Sequence, residues 1–310
     1  MAINFPGNIG LKNIFPHSRE FDTGGGNVRI GQGDIIVAQD ETGDTDNLND
    51  AMDLLPALGG TIYIKEGIYL FDSEITITKT IKFLGTGITS VIKSTTLPLN
   101  GDLLHANSVN NIIFENLKIY SNRNGIELVE CDNCIIKNCF FECDKSIRIF
   151  GCKKVTIKDN YFEPDSISIG LYISGAVRCK FITIENNYRT GGGSYFLVIK
   201  DTDYSTIGSN YVENTSYSCC KLGESSTGSN GGSFNIFSRN ILNTTAGGGG
   251  ACITVADSSS EHNIICNNIL KSTNNGFYQS NGDNTLIIGN QTKNVNIAGG
   301  TGNDVHNIII

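Results

Sequence analysis

The chain has no tryptophan, five prolines, two methionines and four histidines in 310 residues. Lacking tryptophan, it has a weakened case for a deep aromatic cleft that grips sugars. Basic residues are the minority, 23 against 31 acidic ones, for a net charge of −8. Neither nucleic acid nor an anionic membrane is therefore an expected partner, because both need basic patches. No apolar run is long enough to span a bilayer. The opening Met1-Ala2-Ile3-Asn4-Phe5-Pro6 has no basic stretch followed by an apolar core, so no Sec leader is expected. His17, His105, His262 and His306 lie far apart and suggest neither a triad nor a zinc site.

What the chain has instead is repetition. Asn111-Ile112-Ile113-Phe114-Glu115-Asn116-Leu117-Lys118-Ile119 returns as Cys134–Glu142 and Val155–Glu163, and then in shorter variants to the C-terminus. One asparagine marks each copy: Asn116, Asn138, Asn160, Asn187, Asn210, Asn240, Asn268 and Asn290. Successive steps are 22, 22, 27, 23, 30, 28 and 22 residues. A basic period near 22 with insertions reads as a solenoid. Abundant glycine (36 residues) suits short strands joined by polar turns. The repeated asparagine is expected to turn inward at a bend, its amide bonding the next coil, as a structural ladder.

Ten cysteines include Cys131, Cys134, Cys139 and Cys143, spaced C-x2-C-x4-C-x3-C. That spacing superficially resembles a metal site. The repeat argues for buried free thiols instead, with Cys131 and Cys152 stacked on neighbouring coils and Cys139 in one column with Leu117 and Tyr161.

Residues 1–33 show no period and are rich in Gly and Asn, as expected of an arm that is either disordered or ordered only against a partner. An acidic turn over residues 40–47 precedes an expected helix over 46–58, with Leu48, Ala51, Met52, Leu55 and Leu58 on one face. Thr45 or Asp46 would cap it and Gly59-Gly60 would stop it. Asp40, Asp44 and Asp46 offer a low-priority calcium site. Then follow Gly-Gly-Thr-Ile-Tyr-Ile (59–64), Glu-Gly-Ile-Tyr (66–69), Phe83-Leu84-Gly85-Thr86-Gly87 and Ser90-Val91-Ile92. This succession resembles the N-terminal cap and first coils of the pectate-lyase-like superfamily. The resemblance implies an all-β fold, a right-handed parallel β-helix of 10–12 coils over residues 34–310 with an N-terminal capping helix. That superfamily holds pectin and alginate enzymes as well as phage tailspikes and other virion appendages, so it identifies fold better than activity.

Within each coil a triplet recurs: Ile126-Glu127-Leu128, Ile147-Arg148-Ile149, Leu171-Tyr172-Ile173, Leu197-Val198-Ile199, Cys220-Lys221-Leu222 and Ile253-Thr254-Val255. Flanking residues should point inward and the middle one outward. Glycine-rich insertions at 190–194, 224–233 and 244–250 would project from the rod's edges. Val305–Ile310 begins a further copy, and the exposed end it would leave suggests an oligomer or an assembled particle.

The chemistry expected of the superfamily's hydrolases is incomplete. They use paired carboxylates, carried in the pectin branch as Asn-x-Asp and Asp-Asp beside Gly-His-Gly and Arg-x-Lys. Asp-Asp and Gly-His-Gly are missing here, and Arg178-Cys179-Lys180 matches only the last. Glu127, Arg148 and Lys221 are the weak catalytic candidates, and Tyr172 and Tyr195 the candidate sugar-stacking residues. The reading is a non-catalytic virion protein (spike, fibre or capsid decoration), docking to the particle through residues 1–33, with attachment to a host glycan as a further expected role. A homotrimer is implied by the resemblance alone. A polysaccharide depolymerase, lyase or glycoside hydrolase, is the alternative.

Overall fold

The computed structural model describes residues 33–163, 169–174, 177–223, 231–245, 251–257, 259–273, 275–279, 283–292, 295–297 and 303–309. Almost all of the 1–33 arm lies outside this set, as do Asp165 and most of the insertions at 224–233 and 244–250.

Twenty-nine strands join in one continuous sheet, every described pairing parallel, wound as a β-solenoid with almost no helix. Each coil contributes to three faces. The first runs through strands Gly60–Ile64, Ile81–Gly85, Ile113–Glu115, Ile135–Lys137 and Thr156–Lys158. The second includes Gly67–Leu70, Ser90–Ser94 and the starts of Lys118–Val129 and Phe140–Phe150. The third includes Ile75–Ile77, Asp102–Asn107, Ile169–Ser174 and Tyr195–Ile199. Alternation sends every second side chain inward. Phe83, Phe114, Ile136, Ile157, Ile184, Ile207, Phe237, Ile265 and Ile287 stack as one register column, all fully buried. Phe83 and Phe114 lie ring on ring at 5.2 Å, as do Phe141 and Phe162.

The capping helix is shorter than expected, Leu48–Leu54. Asn47 caps it, its side chain accepting the Asn49 N–H at 2.8 Å. Leu55 already has extended dihedrals because Pro56 follows and clashes with a helical residue before it. Leu58 consequently falls beyond the helix and is 92% exposed. The stop is set by proline, ahead of the two glycines.

The corner between the first and second faces corrects the expected ladder. Asn160, Asn187, Asn210, Asn240, Asn268 and Asn290 are buried and linked: the N–H and Nδ2 of Asn210 both donate to Asn240 Oδ1, at 3.0 and 2.9 Å, while Nδ2 also donates to Ile184 O. Asn116 and Asn138 are not rungs. They sit one residue earlier in their coils, with φ of 56° and 53°. Their column continues as Asp159, Asn186, Ser209, Arg239, Asn267 and Gly289, all left-handed. Leu117 and Cys139 occupy the ladder column itself, so Cys139 aligns with Asn160 and not with Tyr161. Asparagine suits both columns, one because it tolerates left-handed backbone, the other because its amide both donates and accepts.

A second ladder occupies the corner between the third and first faces. Ile182 N–H donates to Ser205 Oγ, Ser205 N–H to Asn235 Oδ1, and Asn235 N–H to Asn263 Oδ1, each at 3.0 Å. The residue before each rung is again left-handed, and here it includes Phe181, Tyr204, Phe234 and His262. Their rings stack in series at 5.7, 5.1 and 5.0 Å on the outside of the rod, and the three aromatic residues are 47–50% exposed. A left-handed non-glycine residue costs about 1–2 kcal/mol, and each ring pair returns about 0.5–1.5 kcal/mol, so stacking offsets much of the backbone strain.

All ten cysteines are free, nine of them buried. Cys131 and Cys152 do lie on adjacent coils, the Cys131 N–H donating to Cys152 Sγ at 3.3 Å. Burial pushes the Cys139 thiol up to about 12 and the Cys179 thiol to about 11.

Candidate functional site

The third face carries the chemistry. Its outward column, read by register, is His105, Glu127, Arg148, Tyr172, Val198, Lys221, Thr254 and Tyr278. The triplet rule holds here: Ile126, Leu128, Ile147, Ile149, Leu171 and Ile173 are fully buried beneath these side chains. Neighbours in the column stand about 4.8 Å apart.

Glu127 and Arg148 meet as an ion pair between neighbouring coils, Nη1 lying 2.9 Å from Oε1. Two further partners join them. Asp102 receives the same Nη1 at 3.1 Å on Oδ1 and 3.3 Å on Oδ2. His105 Nδ1 lies 2.8 Å from Glu127 Oε2. Because both carboxylates touch one nitrogen, their nearest oxygens lie within about 6 Å of each other. Burial, together with the Asp102 charge, holds the Glu127 carboxyl above its ordinary range against the opposing pull of Arg148 and His105. Asp102 carries no sequence signal, and His105, isolated from the other histidines along the chain, meets Glu127 in space. The triplet Leu104-His105-Ala106 has the same pattern of apolar flanks around a polar centre and would have placed His105 in the column.

Lys221 is not part of this cluster. It stands three rungs beyond Arg148, about 14 Å away, with Nζ 6.0 Å from the Tyr195 ring centre. Tyr172 bridges the gap, 6.1 Å from Phe150 and with Lys200 Nζ 5.2 Å over its ring. Arg148 lies 4.9 Å over Phe150, and Tyr195 lies 5.3 Å from Tyr217. The flank thus reads as a carboxylate–guanidinium–imidazole cluster at one end and an aromatic and cationic stretch beyond it.

Asp40, Asp44 and Asp203 are engaged locally. Asp44 accepts the Ile36 N–H at 2.9 Å, and Asp40 accepts both N–H and hydroxyl of Thr42. Asp40, Asp44 and Asp46 form no ligand group; among the described residues the one group of three converging donors is Glu74, Asp102 and His105. Arg178 binds Asp203, while burial raises the neighbouring Asp201 carboxyl. No helix among the described residues is long and apolar enough to cross a membrane.

The family model described as "Periplasmic copper-binding protein (NosD)" matches residues 59–307. No curated protein matches the chain in sequence. Solved structures with the same fold include an alginate lyase from Paenibacillus sp. str. FPU-7 (13% identity, TM-score 0.56, covering 80% of this chain and 98% of that one). The Streptococcus pneumoniae surface protein and adhesin PfbA is similar at 13% identity and TM-score 0.56, over 84% and 92% of the two chains. The tailspike protein of Acinetobacter baumannii phage AM24 gives 11% identity and TM-score 0.53, covering 88% of this chain and 57% of the tailspike. At such identities the likeness is one of fold: lyases, adhesins and tailspikes share this scaffold.

Proposed function

The chain belongs to the NosD family, and on that premise we propose that it is a β-helix attachment protein whose third face binds surface polysaccharide. One observation carries this reading: a charged cluster and a run of half-buried rings, Phe150, Tyr172 and Tyr195, share one flank with Lys221. Rings offer apolar faces to sugars while cations and carboxylates bond their hydroxyls. The similarity to a phage tailspike and to an adhesin supports placing the rod on a particle or cell surface. In the virion version it is a spike, fibre or decoration protein, assembled as a homotrimer and anchored through residues 1–33. Glycan arrays and pull-down on purified bacterial polysaccharides test the binding face. Binding lost in Tyr172→Ala and Lys221→Ala would support it, and a folded rod that retains nothing from the panel would reject it. Trimer mass by light scattering, and label on purified particles, test the virion placement.

A second reading is hydrolysis. It is favoured by the pairing of Asp102 and Glu127 on one face, their nearest oxygens within about 6 Å of each other, since glycosidases act with two carboxyl groups. Release of reducing ends by the wild type, abolished in Glu127→Gln, would favour it over attachment alone.

The family's description also raises copper. A thiolate or thioether site of the kind Cu(I) prefers does not fit. Nine cysteines and Met52 are buried, and the partly exposed Cys266 belongs to no group of converging donors among the described residues. Glu74, Asp102 and His105 provide oxygen and imidazole donors instead, a set that fits a divalent ion.

A further inference from the structure

The capping helix leaves an apolar patch at its C-terminal end. Leu54 is 49% exposed and Leu58 92%, and Pro56 and Ala57 between them are exposed as well. No other large hydrophobic residue among those described is as exposed as Leu58. The patch is held in place, because Lys79 Nζ donates to Met52 O at 2.8 Å and to Leu55 O at 2.9 Å. Apolar side chains grouped in this way mark a surface that something covers.

Three observations point to the cover. The first is where the chain enters. Gly33, the first described residue, lies against the patch: a β-carbon on it would sit 3.3 Å from Pro56 Cγ and 3.5 Å from Gly59 O. Its φ of 93° turns the backbone away from the line of strand Asp34–Val37.

The second is what precedes Gly33. Val28-Arg29-Ile30 alternates apolar, basic and apolar. At 3.3–3.6 Å per residue, Ile30 reaches at most about 11 Å from Gly33 and Val28 about 18 Å. Leu58 is two residues from Pro56 and falls inside that radius.

The third is charge. Asp46, Asp50 and Asp53 are exposed, and Asp50 and Asp53, three residues apart, share one side of the helix. Residues 1–32 carry Lys12, Arg19 and Arg29 against Glu20 and Asp22, a surplus of cations in an acidic chain. Arg29 stands between the two apolar residues.

Hydrogen bonds already made rule out a strand added to the first coil. Asp44 N–H donates to Ile36 O at 2.7 Å, Ala38 N–H to Thr45 O at 2.9 Å, and Ile36 N–H to Asp44 Oδ2 at 2.9 Å. The outer edge of Asp34–Val37 is therefore occupied, and docking falls to side chains.

We propose that Val28 and Ile30 fold back over the end of the capping helix and cover Leu54 and Leu58, with Arg29 facing Asp50 and Asp53. The segment closes the N-terminal end of the rod. It also fixes the point from which residues 1–27 depart, whatever they bind. The proposal uses no residue of the polysaccharide face, so each can fail without the other.

The 310-residue chain carrying Ile30→Cys and Leu58→Cys is treated at low micromolar concentration with diamide, which takes up the two thiol hydrogens as a disulfide forms. Expected is a cross-link between positions 30 and 58 of one chain, read by non-reducing gel and peptide mass. Hydrogen exchange gives a second measurement. Ile30→Asp should speed amide exchange in Leu48–Leu54 about tenfold or more, because a helix stripped of its cover opens locally more often. Ile9→Asp should exchange as the wild type does, and glycan binding should be the same in both variants. A cross-link between two chains would make the cover a second copy and overturn the proposal. No cross-link, together with unchanged helix exchange in Ile30→Asp, would overturn it too and leave the patch to a partner protein.

Discussion

Asn160 Oδ1 accepts the backbone N–H of Cys139 at 2.9 Å, so the residue after Asn138, not Asn138 itself, continues the line of buried amides. Two asparagines that read as equivalent in sequence therefore do different work, one inside the rod and one at an exposed left-handed turn.

Substitution separates the two columns. Asn240→Ala strands the Asn210 backbone N–H and the Ile207 carbonyl, both buried, and leaves the Asn210 amide only its bond to Ile184 O. Leaving buried polar groups unpaired costs about 1–3 kcal/mol each, so thermal melts should fall by many degrees. Asn138→Ala should lose only about 1 kcal/mol, the left-handed penalty, and Asn138→Gly should be neutral or slightly stabilising.

The outer ring stack makes a second prediction. Tyr204 contacts Phe181 and Phe234, so Tyr204→Ala should lose about 1–3 kcal/mol from two stacking pairs. Tyr204→Asn should be the milder change, because asparagine accepts the left-handed backbone that alanine resists. Chemical denaturation of the two variants beside wild type reads the difference. Equal stabilities would mean that the left-handed turn carries no strain there.

Thiol chemistry should be nearly silent. With nine sulfurs buried and Cys266 partly exposed, Ellman's reagent at pH 8 should label no more than Cys266 in the folded protein and all ten after denaturation. Fast labelling of several thiols in the native state would contradict the packed core.

Glu115 lies between Lys82 at 2.9 Å and Lys137 at 3.0 Å. Burial alone would raise its carboxyl, but hydrogen bonds and charge from the two ammonium groups outweigh it and leave the group below the ordinary range. A lowered folded value means stabilisation that is full above the unfolded value and disappears as pH falls through the folded one. Glu115→Gln should accordingly be less stable than wild type near pH 7, by about 0.5–1 kcal/mol for a partly exposed pair of contacts. The gap should close in acid. Denaturation midpoints from pH 7 down to pH 2 check the sign.

Much of this was legible in the sequence because a solenoid writes its core as a period. The inward Ile and Phe columns, the outward Glu127 and Arg148, and the six true rungs from Asn160 to Asn290 follow from spacing alone. The misplacement of Asn116 and Asn138 has a chemical cause, since one residue type serves two adjacent positions. The second ladder was hidden because Ile182 and Ser205 fill its early positions, and asparagine enters only at Asn235 and Asn263. Asp102 and His105 lie in a coil before the period becomes regular. Their contact with Glu127 and Arg148 depends on side-chain direction that a one-dimensional pattern does not hold. Pro56 ends the helix three residues ahead of the glycine pair, whose stop signal in the sequence is the louder one.

Ladder partners are separated by 21, 27, 23, 30, 28 and 22 residues, yet every amide bond between them measures 2.9–3.0 Å. The corner meters the pitch, and surplus chain is released elsewhere in the coil. Residues can therefore be added to or removed from the rest of a coil without changing how the rod closes at this corner.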